Sequence, residues 1–132
     1  MVMIDNLANK RAAFAYKEIS KLNEQMLQNY RSLVRSFSAM ILNNGYGLAI
    51  AFLYSKKDGN NQHKFLYQHI EEWLKKQNFL KDQSKDLMTN ITESDNDYYR
   101  FLEAETLSLL EWLKRFTEGI CTGKGAAKLE NQ

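Results

Sequence analysis

The sequence predicts an all-α fold, a single compact bundle of about six helices with no sheet. Three observations predict it. Proline is absent from the 132 residues, where usage of about 5% would supply about six or seven. Glycine is limited to six, few for the many turns of a sandwich or barrel. Apolar residues recur at spacings of three and four, the period of one helix face.

The elements follow in order. Asp5 is a candidate N-cap for a first helix. Behind it Ala8, Ala12, Ala15, Ile19, Leu22 and Met26 form an apolar stripe. Lys10, Lys17 and Lys21 project from the opposite side of that wheel. A second helix is expected over 30–43, with Tyr30, Leu33, Val34, Phe37, Met40 and Ile41 inward. Gly45 ends it, because glycine takes the left-handed conformation of a helix stop without steric cost. Gly47 to Tyr54 is apolar all round, which suggests a short buried central helix. Lys56 and Lys57 close it with cations that suit the helix dipole. A helix near 63–78 carries Leu66, Ile70, Trp73 and Leu74 on one face. A weaker one spans 83–92 with Leu87, Met88 and Ile91.

The last helix is the clearest. Ser94 or Asp95 caps it, and Leu102, Thr106, Leu109, Leu113, Phe116 and Ile120 face one way. Glu103, Ser108, Glu111, Lys114, Arg115 and Glu118 face out. Glu111–Arg115 and Lys114–Glu118 are expected pairs at i,i+4. Gly119 and Gly123 flank the expected end. The domain is therefore drawn over 1–124, with a frayed tail over 125–132.

A chain of this length buries about two-thirds of its unfolded surface, enough for one core without staples. No stretch approaches the roughly 18 apolar residues of a membrane-spanning helix, and Met1 to Asn9 does not read as a secretory signal. The single cysteine, Cys121, rules out an internal disulfide or a multi-thiolate metal site. A soluble, cytoplasmic protein is expected, with no membrane contact.

Charge divides unevenly. Residues 1–57 hold eight Lys+Arg against three acids, and the remainder holds ten against thirteen. A basic half can face a polyanion, or it can be an ordinary solvated face.

Catalytic patterns are missing. His63 and His69, six residues apart, point about 240° apart on a helix and read as surface or rim residues. The Glu-x-x-His signature of di-iron bundles fails, because Leu66 stands three residues before His69. Gly45-Tyr46-Gly47 lacks the third glycine of a dinucleotide fingerprint. Gly119 to Gly125 is one residue short of a phosphate loop and lacks its Ser or Thr. No Arg precedes a His at the spacing of helical Arg-x₄₋₆-His ribonucleases. Cys121 sits near a helix C-terminus, where the dipole disfavours a thiolate. Glu71, Glu72, Glu103 and Glu105 are read on outward faces. No enzyme, metal or cofactor is expected, and binding remains.

Three segments resemble a known family. They are Tyr30-Arg31-Ser32-Leu33 running into Asn43-Asn44-Gly45-Tyr46-Gly47-Leu48-Ala49-Ile50-Ala51-Phe52-Leu53; Trp73-Leu74; and Tyr99-Arg100-Phe101-Leu102-Glu103-Ala104-Glu105-Thr106-Leu107 with Leu109-Leu110-Glu111-Trp112-Leu113-Lys114-Arg115-Phe116. Over about 30–118 the chain resembles the small helical subunit of the CRISPR type III-B (Cmr) RNA-targeting effector, its fifth Cmr subunit. The resemblance implies a non-catalytic role in antiviral defence. Its copies would stack along the complex beside other Cmr subunits and face the guide RNA and target RNA. The residues expected to contact the RNA backbone are Lys10, Lys17, Lys21, Arg31, Arg35, Lys56, Lys57, Lys114 and Arg115. The alternatives are the small subunit of the related type III-A complex and a helical protein–protein adaptor or regulator. The apolar helix after Gly47 argues against a DNA-reading helix-turn-helix.

Overall fold

The computed structural model describes residues 6–130, with side chains described over 6–121. Six helices form α1 Leu7–Ser20, α2 Glu24–Asn44, α3 Tyr46–Lys56, α4 Gln62–Lys76, α5 Leu87–Thr92 and α6 Asn96–Glu130, and no strand occurs among the described residues. The all-α expectation holds. The candidate cap Asp5 lies outside the described residues. Asn6 caps α1, its side chain accepting from the backbone N–H of Asn9 at 3.1 Å.

The first boundary differs from the expected one. The stripe from Ala8 to Met26 is not one helix, because α1 stops at Ser20. Lys21 and Leu22 close its end with bonds to the carbonyls of Glu18 and Ile19. Asn23 then starts α2, its side chain accepting from Met26 N–H at 2.8 Å. Leu22 stays buried in the link and Met26 in the next helix, so the apolar period carries across a break that it cannot reveal. Ala8 is exposed, and Phe14 takes the buried place beside Ala15.

Gly45 has φ 93° and ψ 152°. The positive φ agrees with the expected helix stop, but the extended ψ puts it in a region that only glycine occupies readily. This one residue ends α2 and starts α3. Its N–H donates to the Ile41 carbonyl at 2.9 Å, and its carbonyl accepts from Ala49 at 3.1 Å.

Helix α3 is not buried all round. Tyr46, Ala49, Ile50 and Leu53 face the core, whereas Leu48 is 65% exposed. Helix α5 is shorter than expected. The segment before it is held as a loop, with Asn90 donating to the carbonyls of Asp82 and Asp86. Asp95 caps α6 by accepting from Tyr98 N–H at 2.8 Å. Helix α6 continues through Gly119 and Gly123 rather than ending there.

Polar pairs record the packing. Arg11 meets Glu105 and Tyr16 meets Phe116, so α1 runs in the same sense as α6. Arg31 on α2 meets Glu118, and Tyr46 at the start of α3 meets Thr106, so the chain from α2 into α3 runs opposite to α6. Helix α4 packs beside α1 through Phe14 and Trp73, ring centroids 5.4 Å apart. Trp73, Tyr30, Tyr46 and Phe37 are the largest fully buried side chains. No helix among the described residues is long and apolar enough to cross a membrane.

Candidate nucleic-acid interface

The nine expected contact residues do not form one patch. Lys10 and Lys17 lie on the exposed side of α1 and line a cleft of about 410 Å³. Ala13, Phe14, Trp73, Lys76 and Gln77 complete its lining, which contains no acidic side chain among the described residues. Lys76 Nζ lies 5.9 Å from the Phe14 ring centre. Sequence reasoning missed Lys76. Its position in the last turn of α4 was legible, but its place beside Lys17 depends on the packing of Phe14 on Trp73.

Lys21 turns away from this cleft. It pairs with Glu18 at 3.3 Å and lines a separate cavity with His69, Gln68 and Glu72. Lys56 and Lys57 lie over the rings of Phe52 and Tyr54. Lys57 also lines a mixed-charge hollow with Asp58, Lys64, Glu71 and Asp86.

Arg31 and Arg35 converge on Glu118. Arg31 Nη2 donates to Glu118 at 2.9 Å, and Arg35 engages both carboxylate oxygens through Nε and Nη2. The two arginines hold the Glu118 carboxyl down at about 2. The expected pairs on α6 are therefore replaced. Glu118 goes to α2, Lys114 pairs with Glu111 at 3.5 Å, and Arg115 is exposed with no ion pair among the described residues.

Two other expectations are corrected. Glu105 does not face outward. It is 6% exposed, takes Arg11 through both oxygens at 2.7 and 2.9 Å, and accepts from Trp73 Nε1 at 2.9 Å. Its burial is opposed by these three donors, which leave its carboxyl below the ordinary range. His69 is not at the surface either. It is buried and shares a hydrogen bond of 2.8 Å between Nδ1 and Tyr30 Oη. Burial lowers it to about 4, against the pull of Glu18 4.0 Å from Nε2. His63 is half-buried, edge-on to Phe52. Burial and Lys56 lower its pKa. Among the described residues no group of three His, Cys, Asp or Glu is arranged to hold a metal ion.

The family model described as CRISPR-associated protein (Cas_Cmr5) matches residues 7–120. The chain belongs to the Cmr5 family. The match extends toward the N-terminus beyond the segments that carry the resemblance, and takes in α1 with its lysines. A crystal structure of a CRISPR-associated Cmr5 family protein from Thermus thermophilus superposes with a TM-score of 0.69 at 24% identity, covering 88% of this chain and 97% of that one. That likeness is one of fold. Membership makes the chain a small Cmr subunit of a CRISPR type III effector, which implies association with other Cmr subunits.

Proposed function

We propose that this Cmr5 family member is a non-catalytic, cytoplasmic subunit that lies along the RNA backbone of the assembled effector and serves antiviral defence. Copies of it stack beside the other Cmr subunits. The observation that carries the RNA contact is the cleft of α1 and α4, where Lys10, Lys17 and Lys76 surround a largely apolar floor. Lysines on one face suit phosphates, which need positive charge in the right place and carry no base identity.

The test is a Lys10/Lys17/Lys76→Glu variant assembled into the full complex. RNA affinity should fall similarly for all sequences, and the salt slope should drop by about 0.7–0.9 for each phosphate no longer neutralised. Affinity and slope equal to wild type would move the RNA side elsewhere. For the non-catalytic reading, the purified chain should leave RNA intact with or without divalent cations. Cleavage that survives repurification and disappears on one side-chain substitution would overturn it.

A further inference from the structure

We propose that Arg31 and Arg35 form an oxyanion-binding site on the α2–α6 seam, occupied in the free chain by Glu118 as an internal stand-in, and that an RNA backbone phosphate displaces that carboxylate. The proposal rests on the reading that the chain meets RNA, but it concerns a different face from the α1 cleft.

Geometry comes first. Two guanidinium groups from one helix converge on a single carboxylate of another. The guanidinium fork fits carboxylate and phosphate oxygens with the same paired N–H···O pattern, and a phosphate offers more acceptor oxygens than a carboxylate.

The occupancy is also incomplete. Two cations face one anion, the Cys121 thiol is the other group beside Arg31, and Arg31 Nε is buried with no hydrogen-bond partner, the one such side-chain N or O among the described residues. Buried donors are normally satisfied, so a site with a spare donor is underfilled by its resident acceptor. Lys114 and Arg115 lie one turn before Glu118 on α6, where side chains at these spacings are neighbours. Only Lys114 has an acidic partner there, Glu111.

The site is reachable from solvent. Glu118 is 33% and Arg35 53% exposed at the side chain. On the same two helices Leu27, Val34, Leu110 and Leu113 are buried, and Tyr46 at the start of α3 binds Thr106 on α6. The Glu118 side chain can rotate outward without opening the core.

The experiment measures binding of the full chain to a labelled unstructured RNA oligonucleotide over a salt series. Glu118→Gln, and Glu118→Ala in case glutamine rebuilds the contact, should tighten binding several-fold and steepen the salt slope by about 0.7. Arg35→Gln added to Glu118→Gln should cancel the gain. The Lys10/Lys17/Lys76→Glu chain should weaken overall yet keep the gain from Glu118→Gln. A second arm titrates inorganic tripolyphosphate and follows the arginine Nε–H signals by NMR, which should move for Arg31 and Arg35 in the Glu118 variants. Unchanged or weaker RNA binding by both Glu118 variants overturns the proposal. Tighter binding of a poly-glutamate peptide, with none of RNA or tripolyphosphate, also overturns it and makes the site a protein contact. If the α1 variant binds RNA like wild type while the Glu118 gain persists, the α1 reading falls and this site stands.

Discussion

Two arginine–glutamate clusters join α6 to the N-terminal helices, and they are built differently. At Glu105 one carboxylate meets one arginine and the Trp73 indole; the indole bond is buried and the two arginine bonds are partly so. At Glu118 one carboxylate meets two arginines at the rim, and one arginine nitrogen remains unmet. The first cluster is saturated and largely shielded, so removing a member strands a charge that water compensates only in part. The second is solvated and cation-rich, so its members can exchange partners at little cost. The difference separates a group that holds the bundle together from one available to a ligand.

The hardest blow to the comparison comes from Glu105→Ala. It leaves Arg11 and Trp73 Nε1 without their acceptor. Because Arg11 keeps an edge in water, the expected cost is about 2–4 kcal/mol, somewhat under that of breaking a fully buried pair. Thermal unfolding should shift down by roughly 10 °C. A shift of only a degree or two would erase the contrast with Glu118.

A second buried cluster sharpens the contrast through pH. His69 is held neutral between Tyr30, Glu18 and Lys21, with a folded pKa of about 4 against 6.5 for the free side chain. The unfolded chain binds its proton first, so stability is full above about pH 6.5. It then declines as pH falls toward 4, by about 3 kcal/mol in all. Urea unfolding from pH 7 to pH 4 should show that acid limb, and His69→Gln should flatten it. The same acid limb in the variant would assign it to other groups. Glu118 loses its contribution in the same direction but at lower pH. Its pairing is full above the unfolded pKa near 4.5 and fades as pH falls from there through about 2, so most of its loss lies below that window.

A milder test uses a neutral bond. Tyr46 and Thr106 share a hydrogen bond of 2.8 Å between fully buried side chains. Tyr46→Phe should cost about 1–2 kcal/mol, since it leaves the Thr106 hydroxyl unmet. Equilibrium denaturation reads this directly, and no loss would mean that the hydroxyl finds another acceptor. The smallest effect belongs to the rim. Glu118→Gln should leave the melting temperature within error of wild type while altering RNA binding. A melting temperature that falls as far as that of Glu105→Ala would make the two clusters equivalent.

Much of the fold was legible locally. Leu66, Ile70, Trp73 and Leu74 are all buried, as their spacing implied, because one apolar face per helix must be covered. Gly45 was legible as a helix stop because few residues tolerate its φ. The break at Lys21–Asn23 was not, since Leu22 and Met26 keep the helical period while the chain turns. Periodicity reports which side chains are buried, and only the cap at Asn23 reports where the helix starts.

The candidate interface was less legible. Lys10 and Lys17 were readable from the wheel of α1, but Lys76 and the separation of Lys21 required the packing of α4. Glu105 and His69 were misplaced for a common reason. A polar residue inside an apolar pattern is placed outward unless its partner is known, and Arg11 lies 94 residues from Glu105.

Composition and spacing by themselves determined an all-helical chain, its buried faces and its basic N-terminal half. These are local properties, set by propensity, period and side-chain chemistry along one stretch. Tertiary structure alone decided which charges are consumed and which face solvent. An ion pair is made between helices, and its energy depends on the partner and the surrounding dielectric. The sequence contains both arginine–glutamate clusters as the same residue types. Only the fold buries one of them and leaves the other at the rim.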